Sequence, residues 1–174
     1  MVDKGIFGPD DRLELLDGYL IVREPQREPH AVATDLVVEA LRAAFGFGWY
    51  VRSQKPVALD DASEPEPDVI VVRGVPRDYL GQHPSRPVLV VEVGQASLRR
   101  DRGIKAGLYA RAGIAEYWIV NLVRRVLEVS RDPLEVPASR YGWKYGTVRV
   151  LAPPATVSPL GATHARVRVA DLLP

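Results

Sequence analysis

The sequence lacks several residue types and motifs that would define common active sites. It contains no cysteine, which excludes disulfides, zinc–thiolate sites and thiol redox chemistry. Its three histidines, His30, His83 and His164, do not have a metal-ligand spacing, so a zinc hydrolase is not expected. Neither a glycine-rich phosphate loop nor a Gly-x-Ser-x-Gly element occurs. An oxygen-ligated hard cation therefore remains as the metal ion to look for.

A large net charge and a long apolar run are also missing. The 23 basic and 22 acidic residues give a net charge of +1, which excludes nucleic-acid binding by bulk positive charge alone but not through a local patch. No apolar run approaches the roughly 18–20 residues of a membrane span. The first eleven residues lack the features of a signal peptide. We therefore expect a soluble cytoplasmic protein.

The composition is that of a globular domain. Hydrophobic residues make up 47% and charged residues 26% of the 174 residues, so we expect one domain over residues 1–174. Residues 1–11 are expected to be poorly ordered or to form a short helix. The excess of arginine over lysine and the scarcity of Asn and Met favour a thermophilic source or a GC-rich genome.

The pattern of apolar residues predicts a mixed α/β (α+β) fold. Two apolar segments around Asp17-Gly18 predict a β-hairpin from Arg12 to Arg23. Helical spacing predicts one helix from about His30 to Phe45 and another from Leu98 to Ala112. Strands are expected at Trp49–Arg52, Pro56–Leu59, Val69–Val72, Pro87–Val93, Glu116–Asn121 and Val126–Arg131, and around Lys144–Leu151 and Ala165–Val169.

Two acidic residues lie beside or inside strongly apolar strands. Asp68 precedes Val69–Val72, and Glu92 lies within Val90–Val93. A buried carboxylate is costly unless it is paired, hydrogen-bonded or bound to a cation. Two carboxylates at neighbouring strand ends suit Mg²⁺ or Mn²⁺, with water completing the coordination shell. Alternatively, Glu92 faces solvent on an edge strand or meets an arginine.

The second predicted helix brings three polar residues to one face. Asp101, Lys105 and Tyr109 are spaced i, i+4, i+8. They form either an exposed Asp–Lys pair or part of a site in which the lysine orients or deprotonates a water or stabilises phosphate charge.

Glu14 and His30 are weaker candidates. Alternation places Glu14 on the opposite strand face from Leu13 and Leu15, and this pattern favours a surface carboxylate. His30 precedes the first helix and is either a polar residue of the cap region or a site residue.

Several short motifs occur in a fixed order from about Arg12 to Leu173. They are Arg12–Gly18, Pro29-His30, Gln54–Val57, Glu64–Val69, Val90–Val93, Ser97–Lys105, Leu108–Ala110, Ala112–Ile114 and Glu116–Val120. In this order they resemble the Uma-two family of proposed restriction endonucleases, which have the restriction-endonuclease-like fold of the PD-(D/E)XK nuclease superfamily. The resemblance implies a mixed sheet flanked by helices, with a Mg²⁺ site at one end.

The resemblance also implies roles for individual residues. Asp68 and Glu92 would hold Mg²⁺ or Mn²⁺ for hydrolysis of DNA phosphodiester bonds, and Lys105 would assist the attacking water. The superfamily normally has a lysine two residues beyond the second acid, where this chain has Gly94, so Lys105 would reach the site from the following helix. Supporting roles are expected for Glu14, His30, Gln54, Asp101 and Tyr109.

Two other functions stay open. One is a catalytically inactive module that keeps the nuclease fold and binds nucleic acid or assembles with proteins. The other is a structural domain that uses the aromatic residues of Tyr117-Trp118 and Tyr141–Tyr145 as an oligomer contact, although core packing is favoured for Trp118. DNA is the expected partner, and a homodimer or higher homo-oligomer would suit two cuts on a duplex.

The net charge of +1 combines two unlike regions. Residues 60–68 contain five acidic and no basic residues, whereas residues 99–111 contain five basic residues and one acidic residue. An acidic cluster for a metal beside a basic helix for phosphate is consistent with a nearly neutral total.

Overall fold

The computed structural model describes residues 13–22 and 27–174 of the chain. The segment 1–11, expected to be disordered or helical, lies outside the described residues. The strands are β1 (Leu13–Leu16), β2 (Tyr19–Val22), β3 (Trp49–Ser53), β4 (Val69–Arg73), β5 (Leu89–Gly94), β6 (Glu116–Asn121), β7 (Val126–Glu135), β8 (Trp143–Leu151), β9 (Thr156–Val157) and β10 (Val167–Arg168). The helices are α1 (Glu28–Phe45) and α2 (residues 98–111), with 3₁₀ turns at Pro76–Tyr79, Leu160–Ala162 and Val169–Leu172.

A six-stranded sheet in the order β3-β4-β5-β6-β7-β8 forms the centre of the fold. Strands β5 and β6 are parallel, and all other neighbours are antiparallel. Because parallel strands need a long crossover, α2 connects β5 to β6. The β1–β2 hairpin and the β9–β10 pair form two separate antiparallel sheets. This mixed α+β architecture with an amino-terminal hairpin confirms the predicted fold class.

The two helices cover opposite faces of the sheet. Successive side chains of a strand point to opposite faces, so Val69 and Val71 of β4 pack in the cluster that includes α1. Ile70 and Val72 belong to a second cluster, which includes Tyr109 of α2. The central strands are therefore buried on both sides. None of the helices in the described ranges has the length and hydropathy that a membrane crossing requires.

Local sequence patterns predicted the hairpin turn correctly but predicted one strand that the structure does not contain. Asp17 and Gly18 have φ angles of +52° and +82°, as the Asp-Gly turn requires. The strand predicted at Pro56–Leu59 is wrong, because this segment is a loop that joins no sheet. Its backbone bonds another loop instead, with the Val57 N–H donating to the Pro65 carbonyl at 2.9 Å.

A buried carboxylate connects the sheet to the carboxyl-terminal segment. Glu116 is fully buried at the start of β6. Its Oε1 accepts hydrogen bonds from Trp118 Nε1 at 3.0 Å and from Arg131 Nε at 2.9 Å. Its Oε2 accepts the backbone N–H of Leu160 at 2.7 Å. One side chain thus satisfies donors from β6, β7 and the segment that follows β9.

We expect Glu116→Ala to lower the free energy of unfolding by about 3–5 kcal/mol, because it leaves the Arg131 guanidinium and two N–H donors without their acceptor. Urea denaturation followed by circular dichroism measures the change. Asp171→Ala is the control, since it removes an exposed carboxylate paired with Arg168 and should leave stability almost unchanged. Equal effects of the two substitutions would contradict the structural role of Glu116.

Candidate active site

The register of β4 and β5 places Asp68 opposite Glu92. These strands pair Val69 with Val91 and Ile70 with Val90, and Asp68 directly precedes Val69 while Glu92 directly follows Val91. Residues directly opposite on such strands have Cβ atoms about 5 Å apart. Only 4% of Asp68 and 3% of Glu92 is exposed. The two predicted metal ligands therefore form a buried pair on the face of the sheet that α2 covers.

Asp68 is held by a backbone and a side-chain donor. Its Oδ2 accepts the Val93 N–H at 2.8 Å and a hydrogen bond from His30 Nε2 at 3.1 Å. Burial favours the neutral acid, but the hydrogen bond and charge of His30, together with Lys105, hold the pKa of Asp68 below its ordinary value. His30 lies in the first turn of α1, so it is a site neighbour of Asp68 as well as a cap-region residue.

Lys105 reaches Glu92 from α2, and its side chain is only 4% exposed. Its Nζ donates to Glu92 Oε1 at 2.9 Å and to Glu14 Oε1 at 3.0 Å. Burial alone would lower the pKa of the ammonium, but the charges of Glu92 and Glu14 outweigh it and raise the pKa above its ordinary value. Lys105 is therefore a fixed cation at neutral pH.

Asp101, Lys105 and Tyr109 of α2 are all buried. The interpretation of Asp101 and Lys105 as an exposed ion pair is therefore wrong. Residues Asp101–Lys105 form a π-helical turn within α2, a feature frequent at functional sites. Tyr109 donates its hydroxyl to Glu92 Oε1 at 2.8 Å. Asp101 Oδ2 accepts from Ser97 Oγ at 2.6 Å. The face that α2 turns toward the sheet thus carries the polar residues of the site.

Gly94 ends β5, two residues beyond Glu92. A Cβ atom at this position would lie 2.4 Å from Leu98 Cδ2 and 3.3 Å from Asp101 Oδ2. Any side chain here would therefore displace Leu98. The absence of a side chain lets the start of α2 approach the strand, and the amino group near Glu92 comes from Lys105.

Glu14 is buried, with 1% exposure, so the surface position favoured by its sequence pattern is wrong. The strand alternation itself holds, but the covered face of β1 is the one that carries Glu14 and Leu16. Glu14 Oε1 also accepts the Glu66 N–H at 3.0 Å. It therefore links the hairpin to both Lys105 and the acidic loop.

Gln54 and Ser97 complete the surroundings of the site. Gln54 is exposed, and its backbone N–H donates to the Asp68 carbonyl at 3.1 Å. Sequence reasoning did not single out Ser97, which bonds Asp101. The sequence feature that indicates this contact is the spacing: Ser97 directly precedes the predicted helix and lies four residues before Asp101.

The site carries a surplus of negative charge. Burial, together with the charges of Asp68, Asp101 and Glu14, outweighs Lys105 and raises the pKa of Glu92 to about 8. Burial also raises the pKa of Asp101. These four carboxyl groups surround one lysine. A hard divalent cation would displace the proton of Glu92 and stabilise the ionised carboxylates, so the site fits such an ion.

The oxygen atoms of the site also fit a hard cation. Asp68 Oδ1 and Glu92 Oε2 accept no hydrogen bond from any described residue, because the bonds of these carboxylates fall on Oδ2 and Oε1. Within residues 13–22 and 27–174, no group of three or more His, Asp or Glu residues is arranged to hold a metal. Two carboxylates that each keep one oxygen without a donor are compatible with Mg²⁺, which usually completes its coordination shell with water.

Comparisons with known proteins agree with the fold. Residues 3–167 match the Uma2 family, described as "Putative restriction endonuclease". The chain also matches a crystal structure described as "a putative nuclease belonging to DUF820 from Anabaena variabilis", with a TM-score of 0.73 and 15% sequence identity over 98% of this chain and 94% of the other. At that identity the likeness shows the fold alone. No functionally curated protein matches the chain.

We expect the stability of the protein in EDTA to depend on Glu92 between pH 4.5 and about 8. In this window the folded state keeps a proton on Glu92 that the unfolded state has lost, because the pKa rises from 4.5 to about 8 on folding. The free energy of unfolding therefore falls as pH rises through the window. Glu92→Gln removes this contribution. The free energy of unfolding of the variant, relative to that of the wild type, should therefore be higher at pH 8 than at pH 5 by more than about 1 kcal/mol.

Urea titrations of both proteins at the two pH values measure this difference. Glu39→Gln, which changes an exposed carboxylate of α1, is the control and should show no such difference. A Glu92→Gln effect that is the same at pH 5 and pH 8 would contradict the raised pKa.

Proposed function

The chain belongs to the Uma2 family, described as "Putative restriction endonuclease", and from this membership we propose that it is a metal-dependent nuclease that hydrolyses phosphodiester bonds of DNA. The observation that carries the proposal is the buried pair Asp68 and Glu92, with the Lys105 ammonium 2.9 Å from Glu92 Oε1. Two adjacent carboxylates and a fixed cation match the needs of phosphate chemistry.

Asp68 and Glu92 are the proposed ligands of Mg²⁺ or Mn²⁺. When bound, the ion would polarise a phosphoryl oxygen and lower the pKa of a water molecule. The chain itself supplies the orientation of both carboxylates. Val93 and His30 fix one oxygen of Asp68, and Tyr109 fixes one oxygen of Glu92. The other oxygen of each acid has no donor among the described residues, which supports a role in ligation.

Lys105 is the proposed electrostatic partner of the reacting phosphate and water. Because its pKa is raised, it keeps its proton at neutral pH and is unsuited to act as a general base. We therefore assign it to orienting the attacking water or offsetting negative charge in the transition state. Glu14, as its second carboxylate partner, holds the ammonium in place.

A second candidate is a module that keeps the nuclease fold and binds nucleic acid without cutting it. The observation in its favour is that Lys105 already donates to Glu14 and Glu92 and is only 4% exposed. An ammonium held in this way has limited access to a substrate. The two candidates differ in whether the protein cleaves DNA when a divalent cation is supplied.

We expect purified protein with Mg²⁺ or Mn²⁺ to cleave DNA, and Asp68→Asn, Glu92→Gln and Lys105→Met each to reduce the rate by at least about 100-fold. Losing a ligand removes the ion, and losing the ammonium removes a charge that counts most in the transition state. Gel assays with single-stranded, duplex and plasmid DNA measure the rate. Calorimetry with Mn²⁺ tests ion binding separately.

Glu39→Gln is the matched control, since it changes a carboxylate on the exposed side of α1 and should cleave at the wild-type rate. Equal activity in all preparations would show that Asp68, Glu92 and Lys105 are not needed for cleavage and would contradict the catalytic assignment. Binding of DNA without cleavage by the wild type would favour the second candidate. Light scattering of the same preparation tests the expected homo-oligomer.

A further inference from the structure

A groove of about 900 Å³ lies between α2 and strands β7 and β8. Tyr117 and Ile119 of β6 contribute to its lining, together with side chains of α2 and of the segment 139–148. A volume of this size is in the range of small-ligand sites, about 300–1,000 Å³.

Most of the basic side chains that line the groove form no ion pair with a described residue. Within the described part of the chain, Arg99, Arg100, Arg140 and Lys144 line the groove and form no ion pair. Arg102 also lines it but is paired with Glu128. Unpaired cations that face one concave surface attract a polyanion more strongly than paired ones do.

Aromatic side chains lie among these cations. Tyr141 and Trp143 line the groove and are half-buried. The Arg140 guanidinium lies 5.4 Å from the centre of the Tyr141 ring. A Cβ atom at Gly107 would lie 2.6 Å from Tyr141 Cδ2, so the lack of a side chain there lets the ring lie against α2. Aromatic rings held beside cations suit base stacking with phosphate contacts, the usual recognition of unpaired nucleic acid.

The groove adjoins the carboxylate cluster of the candidate active site. Ser97 and Tyr117 both line the groove. Ser97 Oγ donates to Asp101 Oδ2 at 2.6 Å, and the Tyr117 hydroxyl donates to the Asp101 carbonyl at 3.2 Å. A strand lying in the groove would therefore pass next to two residues that donate hydrogen bonds to Asp101.

We infer that this groove binds one unpaired strand of DNA, with phosphates contacting Arg99, Arg140 and Lys144 and bases stacking on Tyr141 and Trp143. The inference rests on the proposed function, because it names single-stranded DNA as the substrate class of that site. The bases of a duplex are already stacked on each other and are not free to stack on Tyr141 and Trp143.

Fluorescence anisotropy with a labelled single-stranded oligonucleotide, in EDTA so that no cleavage occurs, tests the inference. We expect Tyr141→Ala and Arg140→Ala each to weaken binding by at least about fivefold, and Tyr141→Phe to keep wild-type affinity because the stacking ring remains. Arg140→Ala should also reduce the salt dependence of log K by about 0.7, the value for one phosphate contact of a single strand.

Matched controls come from parts of the fold away from the groove. Tyr19→Ala changes a tyrosine that is 69% exposed on the hairpin, and Arg42→Ala changes an exposed arginine of α1 on the opposite face of the sheet. Both should bind like wild type. Unchanged affinity in Tyr141→Ala, or tighter binding of the matching duplex than of the single strand, would overturn the inference.

The outcomes separate this inference from the proposed function. If groove variants lose single-strand binding while wild type cleaves no DNA, the groove is supported and the nuclease assignment fails. If the protein cleaves DNA and the groove variants bind and cleave single strands like wild type, the nuclease assignment stands and the groove inference fails. Circular dichroism of each variant confirms that it is folded.

Discussion

The ammonium of Lys105 is the point on which the site and much of the surrounding packing depend. It is buried among carboxylates and pairs with Glu92 of β5 and Glu14 of β1. These partners lie 13 and 91 residues away along the chain, so one side chain links the hairpin, the central sheet and α2. A buried charge that loses its partners is strongly destabilising. The three elements are therefore constrained to meet at one place.

The local structure of α2 follows from that constraint. Gly94 permits the start of the helix to approach β5 closely, since a side chain there would collide with Leu98. The π-helical turn at Asp101–Lys105 lies in the part of the helix that faces the acids. Tyr109, one helical turn after Lys105, adds a neutral donor to Glu92. The helix thus supplies the cation and the donors that make a buried carboxylate at Glu92 tolerable.

Local sequence patterns predicted the features that depend on local periodicity and did not indicate those that depend on distant contacts. The apolar run of β4 and the Asp-Gly turn of the hairpin are local, and both were predicted correctly. The contact of Asp68 with His30 spans 38 residues, and nothing in either local pattern indicates it. The burial of Glu14 was missed for the same reason, because alternation identifies two faces of a strand but not which face is covered. The segment Pro56–Leu59 resembles a strand locally, yet its backbone partners lie in a loop.

The two sides of α2 carry opposite charges, and this separation would let a nearly neutral chain bind a polyanion. Asp101 and Lys105 are buried toward the sheet, whereas Arg99 and Arg102, beside Asp101 in sequence, are exposed at the groove. Carboxylates on the buried side would repel a phosphate unless a cation neutralised them. On the open side, Arg99 has no ion-pair partner among the described residues and would attract the phosphate, whereas Arg102 is paired with Glu128. The arginines would then bring the strand to the site, while the carboxylates would make reaction there conditional on a divalent ion. A chain whose net charge is +1 would achieve this by separating its charges on two sides of one helix rather than by a basic surface.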